Sequence, residues 1–175
     1  VDIHSIHVLE FFGECCKNLL VFDRIVESII DELYNPIAIA PDVGALHRAR
    51  YIHEKLGLEY DHLTKKRDRE TGEVSLEPKE LDVRDRDIVL VDDIISTGGT
   101  IAKASETLLK QGARRVVVVA SHGLLIGNAV EKMKKAGVYR VLLANTLGIR
   151  FSDPLIEYVD ITPIIGRELR DMVIE

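Results

Sequence analysis

The chain lacks tryptophan, has a single glutamine, Gln111, and contains only two cysteines among its 175 residues. The cysteines, Cys15 and Cys16, are adjacent, and neighbouring residues rarely form a disulfide with each other. A fold built on disulfides is therefore not expected, and the composition favours a reducing cytoplasm as the location. No stretch approaches the roughly 18 uninterrupted apolar residues that a membrane-spanning helix needs, so no membrane partner is expected.

Positive charge is also in short supply. The chain has 23 Lys and Arg against 29 Asp and Glu, which gives a formal net charge of -6. Such a chain has no general attraction to nucleic acid, and any chemistry on phosphates must use a local basic cluster. The apolar fraction of 46% is enough to bury a core, and the length fits one domain of ordinary size.

Apolar runs rich in β-branched residues alternate with amphipathic stretches along the chain. The runs predict strands at 36–41, 87–93, 114–121, 139–145 and 157–163. The amphipathic stretches predict helices at 22–33, 44–57, 100–112 and 127–137. This alternation predicts an α/β fold with a mostly parallel central sheet and helices on both faces. The charged segment 63–87 interrupts the rhythm, and we expect it to hold a β-hairpin with a flexible loop at its tip.

Two adjacent carboxylates, Asp92 and Asp93, follow the apolar run that begins at residue 87. Ligands of open α/β sheets bind at the carboxyl ends of the strands, so we expect both side chains to face that crevice. Ionised carboxylates accept hydrogen bonds from the vicinal hydroxyls of a sugar, and they also coordinate Mg²⁺. Neither role serves a hydrophobic core.

The five residues Ser96, Thr97, Gly98, Gly99 and Thr100 lead from this strand into a predicted helix. The glycines let backbone N–H groups approach a phosphate, the hydroxyls add donors, and the start of the helix adds a favourable dipole. A carboxylate pair beside a phosphate cradle suits ribose 5-phosphate. The alternative is a simple turn with a helix cap, but the complete order of strand, acid pair, loop and helix favours the ligand site.

The stretch VLVDDIISTGGT, residues 89–100, resembles the phosphoribosyl-diphosphate motif of type I phosphoribosyltransferases. Within that superfamily the chain is most similar to the ribose-phosphate diphosphokinases, in particular their archaeal forms. The resemblance covers nearly the whole chain but only the C-terminal part of the family's usual length. It implies the type I phosphoribosyltransferase fold and an enzyme that transfers a diphosphoryl group from ATP to the anomeric hydroxyl of ribose 5-phosphate. The products would be phosphoribosyl diphosphate and AMP.

The resemblance also implies a magnesium site. His4, in the stretch DIHSIHVLEFF, matches the family's histidine that helps to hold the Mg²⁺ of the nucleotide. Asp42, in the stretch IAPDVGALHRAR, lies in the loop that meets the transferred pyrophosphate, and Gly44 is expected to open the next helix. The alternatives are a structural histidine and an aspartate that caps a helix.

Lys65 and Arg67, in the stretch TKKRDRETGEV, match the family's flexible catalytic loop. Residues at positions i and i+2 of an extended strand point to one side, so both cations would reach one polyphosphate. Positioned cations neutralise the charge that builds up during phosphoryl transfer. The alternative is a solvated charged surface.

The resemblance also implies that His122 and Asn145 border the crevice.

The family's N-terminal half, which holds an Arg-Gln-Asp segment for the nucleotide base, has no counterpart in this sequence. We therefore expect residues 1–22 to be the tail of an N-terminal domain and residues 23–175 to form the phosphoribosyltransferase-like domain. The chain alone should bind ribose 5-phosphate but be poorly active. The expected partners are ATP, ribose 5-phosphate and further copies of the chain.

Two other functions stay open at this point. One is a free-standing phosphoribosyltransferase that consumes phosphoribosyl diphosphate and attaches a base. The other is a non-catalytic regulatory subunit that keeps only the fold and the ligand site. The segment around His4 and the spacing of Lys65 and Arg67 favour the diphosphokinase.

Overall fold

A computed structural model of the chain describes residues 1–67, 74–78 and 81–174. The helices are α1 (Ile6–Phe12), α2 (Phe22–Glu27), α3 (Leu46–Leu56), α4 (Gly99–Lys110), α5 (Ala129–Lys135) and α6 (Thr162–Ile174). The strands are β1 (Ile37–Ala40), β2 (Glu59–Arg67), β3 (Val74–Pro78), β4 (Asp87–Ile95), β5 (Arg115–Gly123), β6 (Val138–Ala144) and β7 (Ile156–Val159).

The strands form one sheet in the order β3-β2-β1-β4-β5-β6-β7. All neighbouring pairs are parallel except β2 and β3, which pair antiparallel as a hairpin. The predicted fold class and the predicted hairpin are therefore confirmed. The expected flexible tip, residues 68–73, lies outside the described residues.

The helix predicted over 22–33 is shorter in the structure. Helix α2 ends at Glu27, and a 3₁₀ turn over Ile30–Glu32 follows it. The Ser28 hydroxyl donates a hydrogen bond to the Ile25 carbonyl at 2.7 Å, and such local bonds compete with the continuing helix. Helix α1 was not predicted, because its aromatic residues are exposed and leave no amphipathic period.

Apolar side chains of the sheet alternate between two cores. Ile88 and Leu90 of β4 pack in the cluster that contains residues of α4 and α5, whereas Val89 and Val91 pack in the cluster that contains residues of α2 and α3. Successive side chains of a strand point to opposite faces.

The N-terminal segment contacts the rest of the domain directly. Val21 and Phe22 are fully buried in the α2 and α3 core. Further upstream, the Asp2 N–H donates to the Leu19 carbonyl at 2.9 Å, and the Asp2 side chain is buried. Packing is thus continuous across the predicted boundary at residue 22, while the origin of residues 1–22 in a preceding domain stays a prediction.

None of the helices in the described part of the chain has the length and apolar character needed to cross a membrane.

Candidate functional site

A cavity of about 100 Å³ lies where the chain passes from β4 to α4. Its lining consists of Asp92 and residues 94–101. The sheet order reverses direction between β1 and β4, because β1 leads outward to β2 and β4 leads the other way to β5. Crevices at such reversal points, beyond the carboxyl ends of the strands, are where open α/β sheets bind ligands.

The loop at the start of α4 presents free backbone donors. In the part of the chain that the structure describes, the N–H groups of residues 97–101 have no hydrogen-bond acceptor. The first N–H groups of a helix lack partners within the helix, and together with the helix dipole they suit an anion. Gly98 has φ of 71°, and a Cβ there would lie 3.0 Å from the Ala129 carbonyl oxygen. The turn therefore requires glycine both for its backbone conformation and for its space.

All five predicted loop residues line this one cavity together with Asp92. Thr97, Gly99 and Thr100 are exposed, and Ser96 is half-buried. The hydroxyls of Ser96, Thr97 and Thr100 thus lie beside the free N–H groups. Their contribution to ligand binding stays a prediction.

The two predicted acids lie side by side at the end of β4 but have different partners. Asp92 lines the cavity, and its Oδ1 accepts the Asp93 N–H at 3.0 Å. Asp93 is only 3% exposed, and its Oδ2 accepts hydrogen bonds from Arg48 Nη2 at 2.8 Å and from His4 Nδ1 at 2.5 Å. Asp92 is therefore the acid in the cavity lining, while Asp93 belongs to a buried ionic network, and the role of Asp93 toward a ligand stays a prediction.

Arg48 of α3 is the centre of that network. Its Nε also donates to the carboxylate of Asp2, at 3.2 and 3.3 Å to the two oxygens, and both residues are buried. The Asp2 carbonyl contacts Nε2 of His122 at 3.2 Å, and Nδ1 of His122 lies 2.8 Å from Oγ1 of Thr146. The sequence interpretation missed Arg48 and Asp2. The only signal for Arg48 was a basic residue on the apolar face of a helix.

The different surroundings of the two acids separate their proton affinities. Burial, reinforced by the charge of Asp93, raises the pKa of Asp92 to about 7. Burial alone would also raise the pKa of Asp93, but the hydrogen bond from His4 and the charge of Arg48 lower that pKa below its usual value. Asp93 is therefore the acid that ionises first, and Asp92 is the one that keeps its proton to higher pH.

We predict that Asp92→Asn stabilises the protein at neutral and higher pH. Folding raises the pKa of the Asp92 carboxyl from 3.8 to about 7. Above the pKa of the unfolded chain, ionising this carboxyl therefore costs the folded state more free energy than the unfolded state. Asparagine keeps the oxygen that accepts the Asp93 N–H and carries no charge. The gain should grow by roughly 1 kcal/mol per pH unit between about pH 4 and about pH 7, and then level off.

Urea unfolding at about pH 4 and about pH 8 measures this effect. The exposed Glu131→Gln on α5 is the matched control, since it removes one carboxylate from the surface. The interpretation is wrong if the stability gap between Asp92→Asn and the unmodified chain is the same at both pH values.

The predicted magnesium ligands lie apart from an assembled site. Asp42 is exposed, and its Oδ1 accepts the N–H groups of Gly44 at 2.8 Å and Ala45 at 3.2 Å. These two N–H groups are therefore occupied, and α3 begins at Leu46 rather than at Gly44, which corrects the expected helix start. Within the described residues, no group of three or more His, Cys, Asp or Glu side chains is arranged to hold a metal ion. The roles of His4 and Asp42 toward Mg²⁺ stay predictions.

Lys65 and Arg67 both lie in β2, opposite Leu76 and Val74 of β3. Their side chains lie outside the part of the chain that the structure describes, so their catalytic role stays a prediction.

Asn145 has a structural role in the turn before α6. Its Oδ1 accepts the Ile161 N–H at 2.9 Å, and its Nδ2 donates to Asp160 at 2.8 Å. Both polar ends of its amide are therefore used to join the end of β6 to the segment after β7.

Comparisons with known proteins identify the family of the chain. The sequence model of the phosphoribosyl transferase domain matches residues 18–154. A ribose-phosphate pyrophosphokinase of Aeropyrum pernix is 43% identical over 175 residues, which cover 99% of this chain and 56% of the relative. A protein of the same name from Pyrococcus furiosus is 46% identical over 147 residues, which cover 84% of this chain and 52% of the relative. The chain thus spans little more than half the length of these curated relatives.

Solved structures share the fold of the chain. The crystal structure of phosphoribosylpyrophosphate synthetase from Mycobacterium smegmatis superposes with a TM-score of 0.81 at 26% identity, covering 98% of this chain and 57% of that one. APRTase from Giardia lamblia superposes with a TM-score of 0.52 at 18% identity, covering 70% of this chain and 75% of that one, and this likeness shows the fold alone.

Proposed function

The chain belongs to the phosphoribosyl transferase domain family, and from this premise we propose that it is the ribose-phosphate-binding part of a ribose-phosphate pyrophosphokinase. The observation that carries the proposal is the single cavity shared by Asp92 and the loop 96–100. N–H groups without acceptors and a carboxylate in one cavity lining match a sugar that carries a phosphate. The relatives that bear this name are up to 46% identical to the chain.

In the proposed complex, the 5-phosphate occupies the start of α4. The N–H groups of residues 97–101 donate to its oxygens, and the hydroxyls of Ser96, Thr97 and Thr100 add donors. Asp92 accepts hydrogen bonds from the ribose hydroxyls, and these bonds favour its ionised form. Asp93 is the second proposed acceptor for the ribose hydroxyls, and its bonds to Arg48 and His4 fix the position of its carboxylate.

The proposed reaction needs no protein nucleophile. The anomeric hydroxyl oxygen of ribose 5-phosphate attacks the β-phosphorus of ATP, the bond between the α- and β-phosphoryl groups breaks, and AMP leaves. Lys65 and Arg67 would stabilise the charge that develops on the migrating diphosphoryl group. Both residues lie on β2, which neighbours β1 in the sheet, and β1 is the strand that leads to Asp42.

Magnesium is the expected cofactor, and its assignment to His4 and Asp42 rests on the resemblance. The chemistry of Asp42 fits, because its carboxylate is exposed and Mg²⁺ prefers oxygen ligands. The Nδ1 of His4 is engaged with Asp93, and its ring is otherwise largely exposed. When bound, the ion would neutralise part of the polyphosphate charge.

We also propose that the protein acts in the cytoplasm as a homo-oligomer. The support for assembly is the α1 surface, where Phe11 and Phe12 are 83% and 54% exposed and contact each other edge to face. Exposed aromatic side chains of this kind are frequent in interfaces between proteins.

Calorimetric titration of the 175-residue chain with ribose 5-phosphate tests the proposed function. We expect saturable binding, and Asp92→Ala should weaken it by roughly 10- to 100-fold, the range for a lost hydrogen bond to a charged group. Glu131→Ala, on an exposed part of α5, is the matched control and should bind like the unmodified chain. Binding that is indifferent to Asp92 would refute the proposed site. Pyrophosphate release that requires a nucleobase would show the alternative phosphoribosyltransferase reaction instead.

A further inference from the structure

The loop that lines the cavity is held from behind by α5. Gly98 packs against the backbone of Ala129, where an added Cβ would lie 3.0 Å from the carbonyl oxygen and 3.2 Å from Cα. One turn later on α5, Lys132 Nζ donates a hydrogen bond to the Thr97 carbonyl oxygen at 3.1 Å. Two neighbouring residues of the loop are thus fixed by two residues of one helix.

The contact with Lys132 fixes the orientation of one peptide unit. In a trans peptide the C=O and the following N–H point in opposite directions within one plane. With the Thr97 carbonyl turned toward α5, the Gly98 N–H is directed away from that helix. The cavity lining of Asp92 and residues 94–101 contains no residue of α5, so helix and cavity lie on different sides of the loop. The Gly98 N–H has no acceptor among the described residues.

Lys132 also holds a positive charge against the backbone of the loop that lines the cavity. A phosphate monoester carries nearly two negative charges near neutral pH, and Asp92 in the lining adds another when ionised. An ammonium group held against the Thr97 carbonyl offsets part of this repulsion. An ammonium group also has three donors, and the bond to Thr97 uses one of them.

On the basis of the proposed function, we propose that Lys132 is a positioning residue for the phosphate of the ligand. It orients the Thr97–Gly98 peptide so that the Gly98 N–H faces the phosphate, and it supplies a compensating charge behind the loop. The motif over residues 89–100 contains no lysine or arginine. Lys132 on α5 therefore provides the cationic side chain that the motif lacks.

Titrations with ribose 5-phosphate, ribose and inorganic phosphate test this assignment on the 175-residue chain. We expect Lys132→Met to weaken ribose 5-phosphate and inorganic phosphate by about tenfold, in line with one lost charge-assisted contact. The affinity for ribose, which lacks the phosphate and should bind more weakly, should be the same in Lys132→Met as in the unmodified chain. Lys132→Arg should restore most of the affinity, because a guanidinium group also donates to a carbonyl. Lys135→Met, which removes an exposed lysine of the same helix, is the matched control.

The amide resonance of Gly98 separates positioning from a general loss of structure. In the unmodified chain, added phosphate should shift this resonance as its N–H gains an acceptor. In Lys132→Met the shift should be much reduced, while the melting temperature stays within about 2 °C of the unmodified chain. If Lys132→Met binds ribose 5-phosphate as tightly as the unmodified chain, this assignment is wrong and the proposed function stands. If the unmodified chain binds no ribose 5-phosphate, both are wrong.

Discussion

Replacing Arg48 by methionine should lower the free energy of unfolding by roughly 3–5 kcal/mol, the range for breaking a buried ion pair from one side. Arg48 is 3% exposed, and it bridges Asp2, which is 1% exposed, and Asp93, which is 3% exposed. Methionine fills a similar volume but donates no hydrogen bond. Two buried carboxylates would then lose the cation that they share, and buried charge that is poorly compensated is far more costly than a lost contact at the surface.

Urea unfolding measures this loss, and the chain contains a matched control. Arg84 also forms a bidentate pair, with Asp82, but both side chains are largely exposed. Exposed pairs are screened by water, so Arg84→Met should change stability little. Adding Asp2→Asn and Asp93→Asn to Arg48→Met should recover part of the loss, because the unpaired charges are then removed. Equal losses for Arg48→Met and Arg84→Met would contradict the importance of burial.

The fold was predictable because its signals are local. Each strand of the parallel sheet is a short apolar run, and Gly57, Gly112 and Gly137 adopt the positive φ values that end a helix. The loop from Ser96 to Thr100 was also found from its neighbours in the sequence. Its order of strand, turn and helix is the physical requirement for an anion site at a helix start.

The end of β4 lies further along the chain than the sequence indicated. The sequence interpretation ended this strand at residue 93, whereas β4 continues to Ile95. The alternation of faces is irregular there, because Ile95 packs in the same core as Ile88 and Leu90. The apolar residues Ile94 and Ile95 are the signal that would have extended the strand.

The partners of Asp93 could not be predicted from spacing. Arg48 is separated from Asp93 by 45 residues and from Asp2 by 46 residues. His4 is separated from Asp93 by 89 residues. Such contacts depend on how α3 and the N-terminal segment pack against the sheet, which a single sequence does not encode as a pattern. The same holds for Lys132, which is 35 residues from Thr97.

Replacing Gly98 by alanine should both destabilise the protein and remove the proposed phosphate cradle. Gly98 has φ of 71°, and its Cβ position is 3.0 Å from the Ala129 carbonyl oxygen, so alanine meets a strained backbone conformation and a fixed obstacle. The conformation alone costs roughly 1–2 kcal/mol, and overpacking adds about 1–3 kcal/mol. Relief requires the loop to move away from α5, which breaks the bond between Lys132 and Thr97 and misplaces the N–H groups of the cavity.

Gly57→Ala isolates the contribution of the backbone conformation. Gly57 has nearly the same φ, 73°, but nothing lies within 4 Å of its Cβ position, and it is remote from the cavity at the end of α3. We expect Gly57→Ala to show only the conformational cost and to bind ribose 5-phosphate normally. Gly98→Ala should unfold at distinctly lower urea concentration and bind at least about tenfold more weakly, the equivalent of one misplaced charge-assisted contact. If the two variants have the same stability and the same affinity, then the packing of Gly98 on Ala129 does not shape the site, and the loop geometry described here is not what recognises the phosphate.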